Sequence, residues 1–156
     1  MEDLNVKYMR MAIAEAREGI VARDGGPFGS VIVKDGLVVG KGHNTVLRDH
    51  DSTCHGEMMA IRDACHNLNS HDLSGCVLYT TGEPCDMCLC ATLWANIERV
   101  YYGCSIAENA RIGFRDQRFD ELFGGRDKLD GYLLECDREE CLCLFDDYLA
   151  TNPQRY

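Results

Sequence analysis

Cys76-Val77-Leu78-Tyr79-Thr80, followed by Pro84-Cys85-Asp86-Met87-Cys88, reads as a buried strand running through a proline turn into a helix start. Upstream, His55-Gly56-Glu57 heads a segment whose apolar residues Met58, Ala60, Ile61 and Ala64 predict a helix from His55 to about Asn67. Two cysteines three residues apart share one side of a helical turn, and a helix N-terminus favours their thiolate form. With the His55 imidazole they supply three soft-to-borderline donors, one fewer than a closed structural zinc site uses. The set suits a catalytic zinc, one per chain, that keeps a coordination position for water. Glu57 stands two residues from His55, where its carboxylate is aimed at that water as a proton carrier. Two plainer readings compete. A structural zinc would take a fourth donor from Cys54 or Cys90, and Glu57 would then be an ordinary exposed helix carboxylate.

Outward from this centre the chain alternates helices and strands. Met9, Ala12, Ile13, Ala16 and Ile20 recur at helical spacing over Leu4 to Ala22, and Gly25-Gly26-Pro27 breaks that helix. Ser30 to Val33 and Leu37 to Gly40 flank Asp35-Gly36, a strong hairpin signal. A polar stretch runs from His43 to Thr53, and Arg99 to Gly103 predicts another strand. Ala107 to Phe123 reads as a charged helix-and-loop region. Gly131 to Cys136 predicts a last strand, and Glu139 to Ala150 a last helix with Leu142, Phe145 and Leu149 inward. This alternation implies one layered α/β domain over residues 1–156, with helices on both faces of the sheet.

Composition bounds the function. The 156 residues carry a formal net charge of -10, with 46% hydrophobic and 27% charged residues. No basic stripe of the kind a phosphate backbone requires is present: Arg111, Arg115, Arg118 and Arg126 are diluted by Glu108, Asp116, Asp120, Glu121 and Asp127. Long nucleic acid is therefore disfavoured as a partner. No apolar run approaches the roughly 20 residues needed to cross a bilayer, and Met1-Glu2-Asp3-Leu4-Asn5 lacks a secretory pattern, so a cytoplasmic location and no membrane partner are expected. In a reducing compartment the ten cysteines are metal ligands or small buried side chains, not disulfides. Cys88-Leu89-Cys90 and Cys141-Leu142-Cys143 offer a second metal site only weakly, since no histidine accompanies them.

Taken together, His55-x-Glu57, then 26 intervening residues, then Pro84-Cys85-x-x-Cys88, resembles the signature of the zinc-dependent nucleobase and nucleoside deaminases. In that family the glutamate is the acid/base and not a ligand. Gly56 stands where many members carry alanine, and Asp86 where a second proline is common. The resemblance covers nearly the whole chain and is closest to short bacterial-type guanine deaminases. It implies a three-layer α/β/α domain around a central mixed five-stranded sheet. The implied reaction is hydrolysis of guanine, a small purine base, to xanthine and ammonia. Phe28, Asn44, Gly56, Trp94, Asp116 and Tyr156 are the implied substrate-binding positions. Phe28 is the ring against the base, Asn44 bonds the base edge, and Asp116, in Gly113-Phe114-Arg115-Asp116, reads the amidine face. Phe28 and Trp94 have core packing as their alternative, Asn44 a turn, Asp116 a surface charge, and Tyr156 a frayed end. The resemblance further implies a homodimer in which the C-terminal segment, about 137–156, is swapped between subunits. A tRNA adenosine deaminase, other small-base or nucleoside deaminases and a non-enzymatic zinc-stabilised module are the competing readings.

Overall fold

The structure is a computed structural model that describes residues 3–116 and 131–153. Helix α1 (Leu4–Ala22) begins at Asp3, whose carboxylate accepts the Asn5 N–H, and ends where Arg23 turns left-handed at φ 60°. Strands β1 (Gly29–Lys34) and β2 (Leu37–His43) form the expected hairpin, with Asp35 and Gly36 both at positive φ. The polar stretch that follows contains a short helix, α2 (Val46–Asp49), which has no counterpart in the sequence reading. Next come α3 (Gly56–Leu68), β3 (Cys76–Gly82), α4 (Asp86–Trp94), β4 (Arg99–Cys104) and α5 (Ile106–Arg111). The described chain closes with β5 (Leu133–Glu135) and α6 (Arg138–Ala150).

The five strands form one mixed sheet in the order β2-β1-β3-β4-β5. β1 is antiparallel to β2 and β3, whereas β3–β4 and β4–β5 are parallel. Alternation along each strand divides the core into two layers. Val31, Val33 and Tyr79 face α1 and α6, and Ile32, Leu78 and Val100 face the layer that holds α3. The three-layer α/β/α architecture with a mixed five-stranded sheet is therefore the observed one. Tyr79 and Tyr101, partners across the parallel β3–β4 pair, stack at 5.0 Å between ring centroids. No described helix is long and apolar enough to cross a membrane.

Helix α6 differs in detail from its expected face. Its buried stripe is Cys141, Leu144, Phe145 and Tyr148, at i, i+3, i+4 and i+7, while Leu142 and Leu149 are only half-buried. The thiol of Cys141 serves as the small apolar side chain that lets the helix lie close against Gly103 of β4. In the single chain α6 docks on its own α1 and β4. A swapped dimer would make the same contacts between subunits.

Phe145 has no solvent exposure and meets Phe28 edge-on at 5.7 Å. Phe145→Ala should cost about 3–5 kcal/mol of stability, measured by urea unfolding. A cost below about 1 kcal/mol would mean that the aromatic layer between α6 and β1 is not close-packed.

Candidate active site

Two helix starts face each other beyond the end of β3. His55 is the N-cap of α3, with extended backbone, so its ring leaves the helix before the first turn. Cys85 is the N-cap of α4, and Cys88 lies three residues on, within the same turn. Both helices present the positive ends of their backbone dipoles, which favour thiolate charge. His55 Nδ1 lies 3.5 Å from Cys85 Sγ, and the three donor atoms of His55, Cys85 and Cys88 all fall within 4.8 Å of one another. Cys88 is wholly buried and Cys85 nearly so. Neither Cys54 nor Cys90 belongs to this group, and among the described residues no fourth donor closes it.

The electrostatics of the group are internally consistent. Burial opposes charge on His55, but its hydrogen bond with the Cys85 sulfur outweighs that and holds the imidazole up at about 9. The hydrogen bond from Cys88 stabilises the Cys85 thiolate against burial, and with His55 brings that thiol down to about 4. Cys88, which gives that bond and is itself buried, is pushed well up. Burial first and the Cys85 charge second push the Glu57 carboxyl up to about 7, with His55 acting in the other direction. Glu57 shares a hydrogen bond with the Cys88 sulfur, which puts its carboxyl beside the donor group from the second position of α3.

A cavity of about 850 Å³ opens against this group, lined by His55 and Cys85 together with Val46, Phe114 and Asp116. Asp116 thus stands in the same cavity as two of the three donors, and its Oδ2 accepts from Asn109 Nδ2 at 3.4 Å. Asn44 is 2% exposed; its N–H donates to the Phe28 carbonyl at 2.9 Å and its Oδ1 accepts from the Val46 N–H at 3.1 Å. The loop carrying it is pinned by Asp24. The Asp24 carboxylate meets His43 Nε2 at 2.8 Å, and its carbonyl accepts the Leu47 and Arg48 N–H groups at 2.9 and 3.0 Å. Gly56 sits so near the strand layer that a Cβ there would meet the Phe28 carbonyl oxygen at 2.9 Å.

Three further positions are expected at the substrate: Phe28, Trp94 and Tyr156. Phe114 supplies the aromatic wall of the cavity, and Phe28 packs T-shaped against it at 4.8 Å, at the edge of the core. Trp94 is not among the cavity residues and is 86% exposed at the end of α4, so within one chain it is neither pocket wall nor core. The reason is rotational: Cys88 and Leu89 set the buried side of α4, and Trp94 emerges on the opposite one. Tyr156 lies outside the described residues. Sequence reasoning missed Ser52, Met87 and Arg115 as cavity residues, and set aside Asp86, which also lines it. Met87 and Asp86 were findable from their place inside the CxxC turn, whereas Ser52 sits in a polar stretch with no periodic signal.

Residues 2–104 match the cytidine and deoxycytidylate deaminase zinc-binding region. The chain belongs to this deaminase family. It is 45% identical over 109 residues to a guanine deaminase of Bacillus subtilis, covering 70% of each protein. The solved structure of that enzyme superposes with a TM-score of 0.72 at 36% identity, over 96% of this chain and 97% of the other. A tRNA-specific adenosine deaminase of Aquifex aeolicus is 41% identical over 146 residues, covering 93% of this chain and 95% of that one. A guanine deaminase structure from Nitrosomonas europaea gives a TM-score of 0.78 at 27% identity, over 92% and 83% of the two chains. This deaminase therefore has close relatives acting on a free base and on tRNA.

The donor chemistry of the deaminase site fits zinc: one nitrogen and two sulfurs, none competing with a fourth protein ligand in the described residues. Metal uptake must displace protons from His55, held at about 9, and from the raised Cys88 thiol. Both carry protons at neutral pH, so zinc affinity should rise as pH is raised through neutrality and uptake should release acid. Competition titration against a chelator at several pH values measures this. A pH-independent affinity contradicts the ligand assignment.

Proposed function

We propose that this protein hydrolyses guanine to xanthine and ammonia, with one zinc per chain, as a cytosolic homodimer. The observation that carries the reading is the Asp116 carboxylate in the same cavity as His55 and Cys85. Guanine presents N1–H and its C2 amino group side by side, two donors that one carboxylate accepts. Adenine and cytosine pair their amino group with a bare ring nitrogen, which a carboxylate repels. The identity to a guanine deaminase supports the same substrate.

Bound zinc would lower the pKa of water to about 7 and so make a nucleophile available at neutral pH. His55, Cys85 and Cys88 would hold it. Glu57 would take a proton from the attacking water and deliver it to the ring nitrogen N3 as the water oxygen bonds to C2. It then carries the second proton to the departing amine, so one water is consumed and one ammonia leaves. Its buried carboxyl, fixed in the first turn of α3, keeps that proton away from bulk solvent. Asn44 is assigned to the base edge on the family resemblance; it is 2% exposed, is not among the residues lining the cavity, and its Oδ1 accepts the Val46 N–H.

The tRNA reading draws on the longer alignment with the Aquifex aeolicus protein. Against it stand the net charge of -10 and the carboxylates Asp86 and Asp116 at the cavity, which disfavour a phosphate backbone. A cytosolic setting agrees with ten unpaired cysteines. Exposed Leu93 and Trp94 on α4 are apolar surface that a dimer would cover. Sedimentation at twice the mass of one chain is expected.

Ammonia release from guanine, guanosine, adenine, cytosine and ammeline, beside inosine formation in tRNA, should single out guanine. Glu57→Gln should keep its zinc while guanine turnover falls at least about 10²-fold. Near-normal turnover in that variant would remove Glu57 from the chemistry.

A further inference from the structure

We propose that Asn109 is a positioning residue that holds the Asp116 carboxylate at the cavity wall; this rests on the role given to Asp116 above. Asn109 is 1% exposed, lies in α5 and does not itself reach the cavity. Its NH2 group has two hydrogens, and each has an acceptor. One is the Glu83 carbonyl at 3.2 Å, the other Asp116 Oδ2 at 3.4 Å. Its backbone carbonyl also accepts the Phe114 N–H at 3.2 Å. Asn109 therefore grips the 114–116 segment through main chain and side chain together.

The other end of the grip is equally fixed. Glu83 stands two residues before Cys85, and its carboxylate accepts the Ile106 N–H at 2.8 Å, at the head of α5. Helix α5 is closed by a capping box between Ser105 and Glu108, and Glu108 pairs with Arg138 of α6. The carboxamide of Asn109 thus spans from the backbone that leads into the thiolate turn to the carboxylate proposed to read the base. Gly82 keeps the space open: a Cβ there would meet the Asn109 Oδ1 at 3.0 Å and the Phe28 ring at 2.8 Å.

Asn109 Oδ1 is buried without a hydrogen-bond partner among the described residues. A buried unpaired carbonyl is unfavourable, and leucine at the same site would not incur that cost. The two donated bonds are the gain set against it, and one of them ends on Asp116.

The test compares Asn109→Leu, Asp116→Ala and the double variant in zinc-loaded full-length protein. Asn109→Leu should lower kcat/KM on guanine about 10- to 100-fold at unchanged zinc content. Added to Asp116→Ala it should change activity less than about twofold, because its effect runs through that carboxylate. Equal losses in both backgrounds would overturn the proposal. Hydrogen exchange gives a readout that needs no substrate. Amides of residues 110–116 should exchange about 10-fold faster in Asn109→Leu, with 76–82 unchanged. No change at 110–116, or equal acceleration in both segments, overturns it as well. Should Asn109→Leu fail to fold, Asn109→Ser replaces it in both measurements. Wild-type protein that leaves guanine intact defeats the substrate reading, and so does an Asp116→Ala variant with wild-type turnover. In those cases, and where Asp116→Ala is too slow to assay, exchange alone decides the role of Asn109.

Discussion

His55 and Cys85 are thirty residues apart in the chain, and their donor atoms meet at 3.5 Å because α3 and α4 pack against each other. Everything chemical in this protein follows from that meeting of two helix starts. The β3–α4–β4 unit is a parallel crossover, so α4 must begin beyond the C-terminal end of β3. Helix α3 lies across β2 and β1, and its first residue is brought to the same edge. Ligand sites gather at the carboxyl ends of parallel strands for this topological reason. The sheet order thus decides where the donors converge before any side chain is chosen.

Burial at this point is costly unless charges compensate one another. A lone buried thiolate or carboxylate would be driven neutral. Here the Cys85 thiolate faces an imidazolium and a thiol donor, and two helix dipoles point at it. The same negative sulfur raises the neighbouring Glu57 carboxyl. One group's charge is therefore set by its neighbour's, which is the arrangement in which a divalent cation replaces protons with least reorganisation.

Most of the frame was legible in the residues. Helix α1 falls between the residues its apolar spacing marked, because Met9, Ala12, Ile13 and Ala16 all turn inward. Asp35-Gly36 makes the turn its chemistry demands. The His55, Cys85 and Cys88 cluster was readable because metal-donor spacing is a local property of helix starts. What stayed hidden depends on contacts remote in sequence. Helix α2 exists because the Asp24 carbonyl, some twenty residues earlier, takes its first N–H groups. The outward turn of Trp94 is fixed by which side of α4 buries Cys88, and no periodicity in nine nearly all-apolar residues reveals that. Asn109 carries no motif; only the approach of Glu83 and Asp116 gives it a role.

The Phe28 carbonyl couples two remote positions. It accepts the N–H of Asn44, and it is also the atom that a methyl group on residue 56 would strike. Alanine at residue 56 is thus closed to this chain unless the segment around residue 28 retreats first. That retreat would carry Asn44 with it, because the Asn44 N–H is bonded to the same oxygen. Residues 44 and 56 are here joined through a single main-chain oxygen, so a side chain added at 56 is felt at 44.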